Sequence, residues 1–266
     1  MNDFMGFYSH FGVSIGLLIV LFIILSLGIF ISKFRENGFI IFFENIFEKI
    51  YEFFEDILGQ EEKSWIKVYV TILFFIILFS NILSVFVDFL KPIFGEDLQK
   101  YIDIPTADIN FNIAISIVGV IIVIFEQFRA LGFKKAIYEY FPFLGKGYIP
   151  YERGVLNKFI DLPLFLLVKF FDIVISLFLG LLEIVGHMAK IISLSFRLFG
   201  NVTSGGILLA MLITGMGALT TNLLGFDFPV LGPIILYLQG LLVALIQALV
   251  FPLLIAIFIK VAKMEQ

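Results

Sequence analysis

Cysteine is absent from the 266 residues, and histidine occurs only as His10 and His187. The missing thiols exclude disulfides, iron–sulfur clusters and cysteine nucleophiles. The two histidines stand too far apart in sequence to found a zinc site with the usual ligands. There is no glycine-rich phosphate loop, so any nucleotide chemistry belongs to another chain. Charge is scarce too: 15% of residues are Asp, Glu, Lys or Arg and the net charge is −4, which offers nucleic acid no basic surface. Apolar residues fill the space instead, at 61% with 35 phenylalanines. A soluble domain runs near 45–50% apolar and about 25% charged. This composition predicts an all-α integral membrane protein forming a single membrane domain over 1–266.

The apolar runs predict its parts. A first span covers 11–31; it lacks a preceding basic region and a small-residue cleavage site and is followed by Lys33 and Arg35, which reads as a retained span rather than a signal peptide. The segment 39–60 is amphipathic, with Glu44, Glu48, Glu52 and Glu55 on one helical face and Phe42, Phe43, Ile46, Phe47, Ile50, Phe53, Phe54 and Ile57 on the other. It predicts an interfacial helix along the membrane surface, its acidic face turned to a partner protein or to solvent rather than to anionic lipid. Further spans are expected over 66–89 and 109–128, and a long tilted helical hairpin over 159–220 and 229–262, turning near Asn222 to Asp227. The first arm needs only about 20 residues for one crossing, so it is expected to tilt strongly, or to break and run partly along the surface. Lys and Arg concentrate in the loops at 33–65 and 129–158. By the positive-inside rule these are cytoplasmic, the N-terminus lies outside and the C-terminus inside.

The long helix carries the chemistry. Lys169, Asp172, Glu183, His187, Lys190, Arg197 and Asn201 fall on one narrow arc at about 100° per residue, bordered by Ser193 and Ser204. Ionisable groups within a membrane are costly and mark ion pathways; a structural polar seam between packed helices is the plainer alternative. Arg197 sits between Leu194, Phe196, Leu198 and Phe199 and cannot lose its proton. Glu183 is about four turns away, so a carboxylate of another subunit is the expected partner. The small residues Gly200 and Thr203–Gly206 let a neighbouring helix approach closely.

The stretch Ser193-Leu-Ser-Phe-Arg-Leu-Phe-Gly-Asn201 resembles the signature of subunit a of F-type ATP synthases. Pro105-Thr-Ala-Asp-Ile-Asn110, Phe79-Ser-Asn-Ile-Leu83 and Gln247-Ala-Leu-Val-Phe251 resemble further segments of that family in the same order, and Glu183 and Lys190 stand at its spacing before the arginine. The resemblance covers most of the chain after about residue 35. It implies a non-catalytic stator subunit of the bacterial inner membrane that passes H+ or Na+ through two half-channels to and from the carboxylates of a rotor c-ring. Its partners would be that ring, the peripheral stalk b subunits, the remaining ATP synthase subunits and membrane lipid, with no bound cofactor or metal. Arg197 would face the ring, Asn201 and Gln247 would be its polar neighbours, Glu183 would belong to the aqueous half-channel and Asp108 would lie on the outer side; the helical arc by itself adds His187, Lys190 and Ser193 to a polar pathway, and Gln239 stands beside Gly240. Where many proton-driven members carry Glu or His, this chain has Gly206 and Gly240. Neither titrates, which leans the expectation toward Na+. A standalone secondary transporter is the competing class; such proteins usually show inverted repeats, and no internal repeat is evident.

Overall fold

The computed structural model describes residues 15–33, 38–94, 102, 104–141, 158–224 and 231–264, and among these every regular element is helical. In chain order they are α1 (Ile15–Lys33), α2 (Gly38–Leu58), α3 (Ser64–Phe94), a single 3-10 turn (Pro105–Ala107), α4 (Ile109–Leu131), α5 (Phe133–Tyr140), α6 (Lys158–Leu224) and α7 (Leu231–Met264). Four of them, α3, α4, α6 and α7, are long and apolar enough to cross a membrane. The expected first span begins outside the described residues, as do His10, the turn after Leu224 and much of the loops at 90–108 and 129–158.

Glycine ends two of the helices. Gly59 (φ +100°) and Gly132 (φ +80°) adopt the left-handed conformation, and their amides close back on Glu55 O and Phe128 O at 2.7 and 3.0 Å. That geometry caps a helix C-terminus and suits a residue without a Cβ. The chain divides into two compact units, Met1–Ile115 with Leu194–Ile257 and Ser116–Ser193 with Phe258–Gln266.

In the first unit α2 lies against α3. Phe54 and Leu58 are buried, Phe47 stacks on Phe75 with ring centroids 3.8 Å apart, and Phe54 meets Phe74 edge-on at 6.4 Å. These ring contacts draw the two helices together. The amphipathic division is less clean than its periodicity suggests, because Phe42 and Phe53 are exposed. Glu55 leaves the acidic face to pair with Lys67 of α3, whose ammonium also donates to Gln60 O at 2.9 Å. Lys67 is only 2% exposed, and a buried ammonium requires such partners. The 3-10 turn docks through Asn112, whose Nδ2 donates to Thr106 O at 2.8 Å, while the Ser195 hydroxyl of α6 donates to Asn112 O at 3.2 Å.

In the second unit Glu126 of α4, 1% exposed, pairs with Lys263 of α7 at 2.7 Å. Phe128 stacks on Tyr140 at 5.8 Å, which seats the short helix α5 against α4.

Helix α6 is unbroken for 67 residues, about 100 Å at 1.5 Å per residue. Of the alternatives for the long arm, a break is therefore absent. Pro163 stands inside α6 near its start and Pro252 inside α7, where each removes one backbone donor.

Candidate functional site

Residues of the polar arc of α6 belong to both units, and each group is described where it lies. In the first unit Arg197 is half-buried, with Leu194 and Leu198 buried beside it and Phe196 exposed. No acidic group among the described residues pairs with its guanidinium. Asn201 follows one turn later and opens onto a cavity of about 180 Å³. Three helices line it: Asn81, Ser84, Val85 and Asp88 from α3; Asn201, Ser204 and Gly206 from α6; Tyr237, Gln239, Gly240 and Gln247 from α7.

The cavity is polar in a particular way. Asn81 is 3% exposed, yet neither its amide nitrogen nor its oxygen has a partner, and Gln247 Oε1 is likewise unpaired. A buried amide left dry costs free energy that water or an ion recovers, and this volume admits several waters. No lysine or arginine lines the space, and Asp88 is the acidic residue in its lining. Tyr237 closes one side by donating to Asp88 O at 3.2 Å. The two glycines differ in what they permit. A Cβ on Gly240 would approach Val85 Cγ2 to 3.1 Å, whereas one on Gly206 would meet nothing within 4 Å. Gly240 thus lets α7 pass close to α3, and Gly206 leaves room open.

In the second unit Glu183 and His187, one turn apart, approach to 3.4 Å between Oε1 and Nε2. The same Nε2 lies 3.0 Å from the Tyr140 hydroxyl, which donates to Gln127 Oε1 at 2.7 Å. His187 Nδ1 is buried without a partner. Lys190 points its ammonium at the Phe258 ring, 5.0 Å from the centroid, a cation–π contact.

The predicted residues therefore sort into separate places. Asn201, Gln239 and Gln247 share one cavity; Glu183 and His187 form a contact; Ser193 is exposed. Asp108 is exposed at the start of α4, where its Oδ1 accepts the Asn110 amide at 2.8 Å as a helix N-cap does. Sequence reasoning touched Asn81 only as part of the Phe79–Leu83 segment and gave no role to Ser84, Tyr237, Tyr140 or Gln127. Among the described residues no three His, Cys, Asp or Glu converge as metal ligands; the polar groups at hand are amides, hydroxyls, an imidazole and single carboxylates.

Comparison with known proteins is consistent along the chain. The family model described as ATP synthase A chain matches residues 11–260. The chain is 39% identical over 79 residues to ATP synthase subunit a of Geotalea uraniireducens, covering 30% of this chain and 29% of that one. It is 29% identical over 156 residues to ATP synthase subunit a of Citrifermentans bemidjiense (59% and 50%), and 28% identical over 162 residues to that of a Hydrogenobaculum strain (61% and 60%). The chain thus spans between about a third and three fifths of the length of these curated relatives.

Proposed function

Because the chain belongs to the ATP synthase A chain family, we propose that it is the ion-translocating stator subunit of a rotary F-type ATP synthase. It passes H+ or Na+ through two half-channels to and from carboxylates on a rotor c-ring, and it performs no catalysis alone. It works in a bacterial inner membrane with its N-terminus outside and its C-terminus inside, beside the ring, the peripheral stalk b subunits and the rest of the complex.

One observation carries this reading: a half-buried Arg197 for which the described chain supplies no acid. A permanent cation so placed favours the ionised form of any carboxylate that approaches it, so a ring site reaching Arg197 releases its ion. The same charge repels cations that would leak from one half-channel to the other. The cavity beside Asn201 and Gln247 suits the outer half-channel, because its unpaired amides need water or a cation. Each charge crossing gains about 2.3 kcal/mol per 100 mV, so several must be summed by rotation for each ATP.

Arg197→Ala is expected to abolish coupled ATP synthesis and ATP-driven pumping while the soluble sector still hydrolyses nucleotide. Both activities are measured on the whole complex in membrane vesicles. Normal coupled synthesis by the variant overturns the stator reading.

A further inference from the structure

We propose that His187 is a proton-holding group of this pathway, and that Tyr140 and Gln127 are positioning residues that leave its Nδ1 as the open acceptor. The proposal deepens the ion-translocating reading and rests on it.

The available hydrogens fix the tautomer. Tyr140 has one hydroxyl hydrogen, and it goes to Gln127 Oε1 at 2.7 Å. The contact between Tyr140 and His187 Nε2 at 3.0 Å must then run the other way, with Nε2–H donating to the phenolic oxygen. A neutral imidazole carries one hydrogen, so the lone pair is left on Nδ1. That nitrogen is buried and has no partner, a position that costs free energy unless water or a proton reaches it. Tyr140 also stacks on the ring, 5.8 Å between centroids and inclined by 30°, which limits how the imidazole can turn.

The charges around the ring pull both ways, Glu183 favouring a cation there and Lys190 opposing it. Glu183 and Lys190 flank it on its own helix, one turn before and one turn after, and Glu183 Oε1 is 3.4 Å from Nε2. Tyr140 faces it from α5. On α4, Glu126 beside Gln127 is paired with Lys263 of α7, and Lys190 is directed onto the Phe258 ring. The nearest free counter-charge is therefore Glu183.

The step moves one proton and no electrons. A hydronium gives its proton to the Nδ1 lone pair and becomes water; the imidazole becomes imidazolium, balanced by the Glu183 carboxylate. Release to a water on the other side of the cycle returns the neutral ring. A nitrogen base takes a proton, whereas hard alkali cations prefer oxygen ligands, so this group is specific for H+.

The test uses the full-length chain in lipid vesicles with 15N-labelled histidine in a His10→Asn background, which leaves a single imidazole. At alkaline pH the wild-type ring is expected as the Nε2–H tautomer, and on acidification both nitrogens become protonated. Gln127→Leu combined with Glu183→Ala removes the acceptor of the Tyr140 hydrogen and the carboxylate acceptor of Nε2–H together, and the neutral ring is expected to switch to the Nδ1–H tautomer. Tyr140→Phe leaves Glu183 as the acceptor for Nε2–H and keeps the wild-type tautomer. In the whole complex, His187→Gln is expected to slow ATP-driven proton pumping on the order of a hundredfold, the low end for a lost proton-transfer group, with hydrolysis by the soluble sector retained. An Nδ1–H tautomer in the wild type, no switch in the Gln127→Leu, Glu183→Ala double variant, or wild-type pumping by His187→Gln overturns the proposal. The spectra do not depend on a rotor ring, so they fail separately from the Arg197→Ala experiment.

Discussion

Two glycines show how much one missing Cβ decides. Gly240 stands where α7 meets α3, and an added Cβ would press to 3.1 Å from Val85 Cγ2. A valine there must displace Val85 and intrude on the lining of the cavity, and overpacking of this kind costs about 1–3 kcal/mol. Gly240→Val is therefore expected to lower the thermal stability of the purified chain and to slow coupled turnover, and Val85→Ala in the same chain to restore both. Gly206 has no neighbour within 4 Å of an added Cβ, so Gly206→Ala is expected to leave stability unchanged or to raise it slightly, alanine being the better helix former by about 1 kcal/mol. Equal damage from both substitutions, read by thermal unfolding, contradicts this assignment of the two positions. At the same scale lies the limit of what sequence shows. Arg197 is conspicuous because apolar neighbours surround a charge that cannot be neutralised. Asn81 and Ser84 are not, because polar residues on a span can equally face lipid headgroups, and only the approach of α6 and α7 makes them cavity walls. Tyr140 was hidden more deeply: it stands in a basic, loop-like stretch 47 residues from His187, and no periodicity links the two.

The helices add constraints that no single side chain carries. Helix α2 rests on α3 through stacked phenylalanines and through Glu55 with Lys67. The amphipathic pattern made the helix and its apolar face legible, but it placed Glu55 with the other acids, because periodicity assigns faces and cannot see a lysine arriving from the next helix. Removing Glu55 leaves a buried ammonium without its counter-charge, and breaking a buried pair from one side costs about 3–5 kcal/mol. With Glu55 31% exposed, water relieves part of that, so Glu55→Ala is expected near the lower bound. Its signature is faster amide hydrogen exchange across Gly38–Leu58, with α6 and α7 unaffected. Glu55→Leu combined with Lys67→Met removes both charges and is expected to restore protection, as apolar replacements of buried pairs do. Unchanged exchange in Glu55→Ala shows that ring stacking alone holds α2. Helix α6 poses the opposite problem. Phe170 is 63% and Met211 68% exposed, and the apolar rows on either side of its polar arc stay largely uncovered by this chain. A charged arc framed by such rows fits a helix that meets lipid and a protein neighbour together.

Taken whole, the protein offers two kinds of polar chemistry, each confined to one compact unit. The cavity of the first unit is lined by amide and hydroxyl residues and by Asp88. Oxygens of such residues accept a hydrated Na+ or a chain of water that relays protons, so the lean toward sodium drawn from the untitratable Gly206 and Gly240 is not decided by this cavity. The second unit presents an imidazole whose open nitrogen accepts a proton and gives a sodium ion nothing to bind. If His187 carries the ion as proposed, a species moved by the whole subunit has to be accepted by a nitrogen base as well as by oxygens, and H+ meets that condition. The complex in sodium-depleted vesicles is therefore expected to pump at its full rate when driven by ATP, with added Na+ leaving the rate unchanged, as followed by a pH-sensitive dye. Dependence on added Na+ would mean that His187 lies off the route and that the oxygen-lined cavity alone sets the ion. His187→Gln separates the outcomes further: a sodium-driven complex keeps its rate in that variant, whereas a proton-driven one loses it.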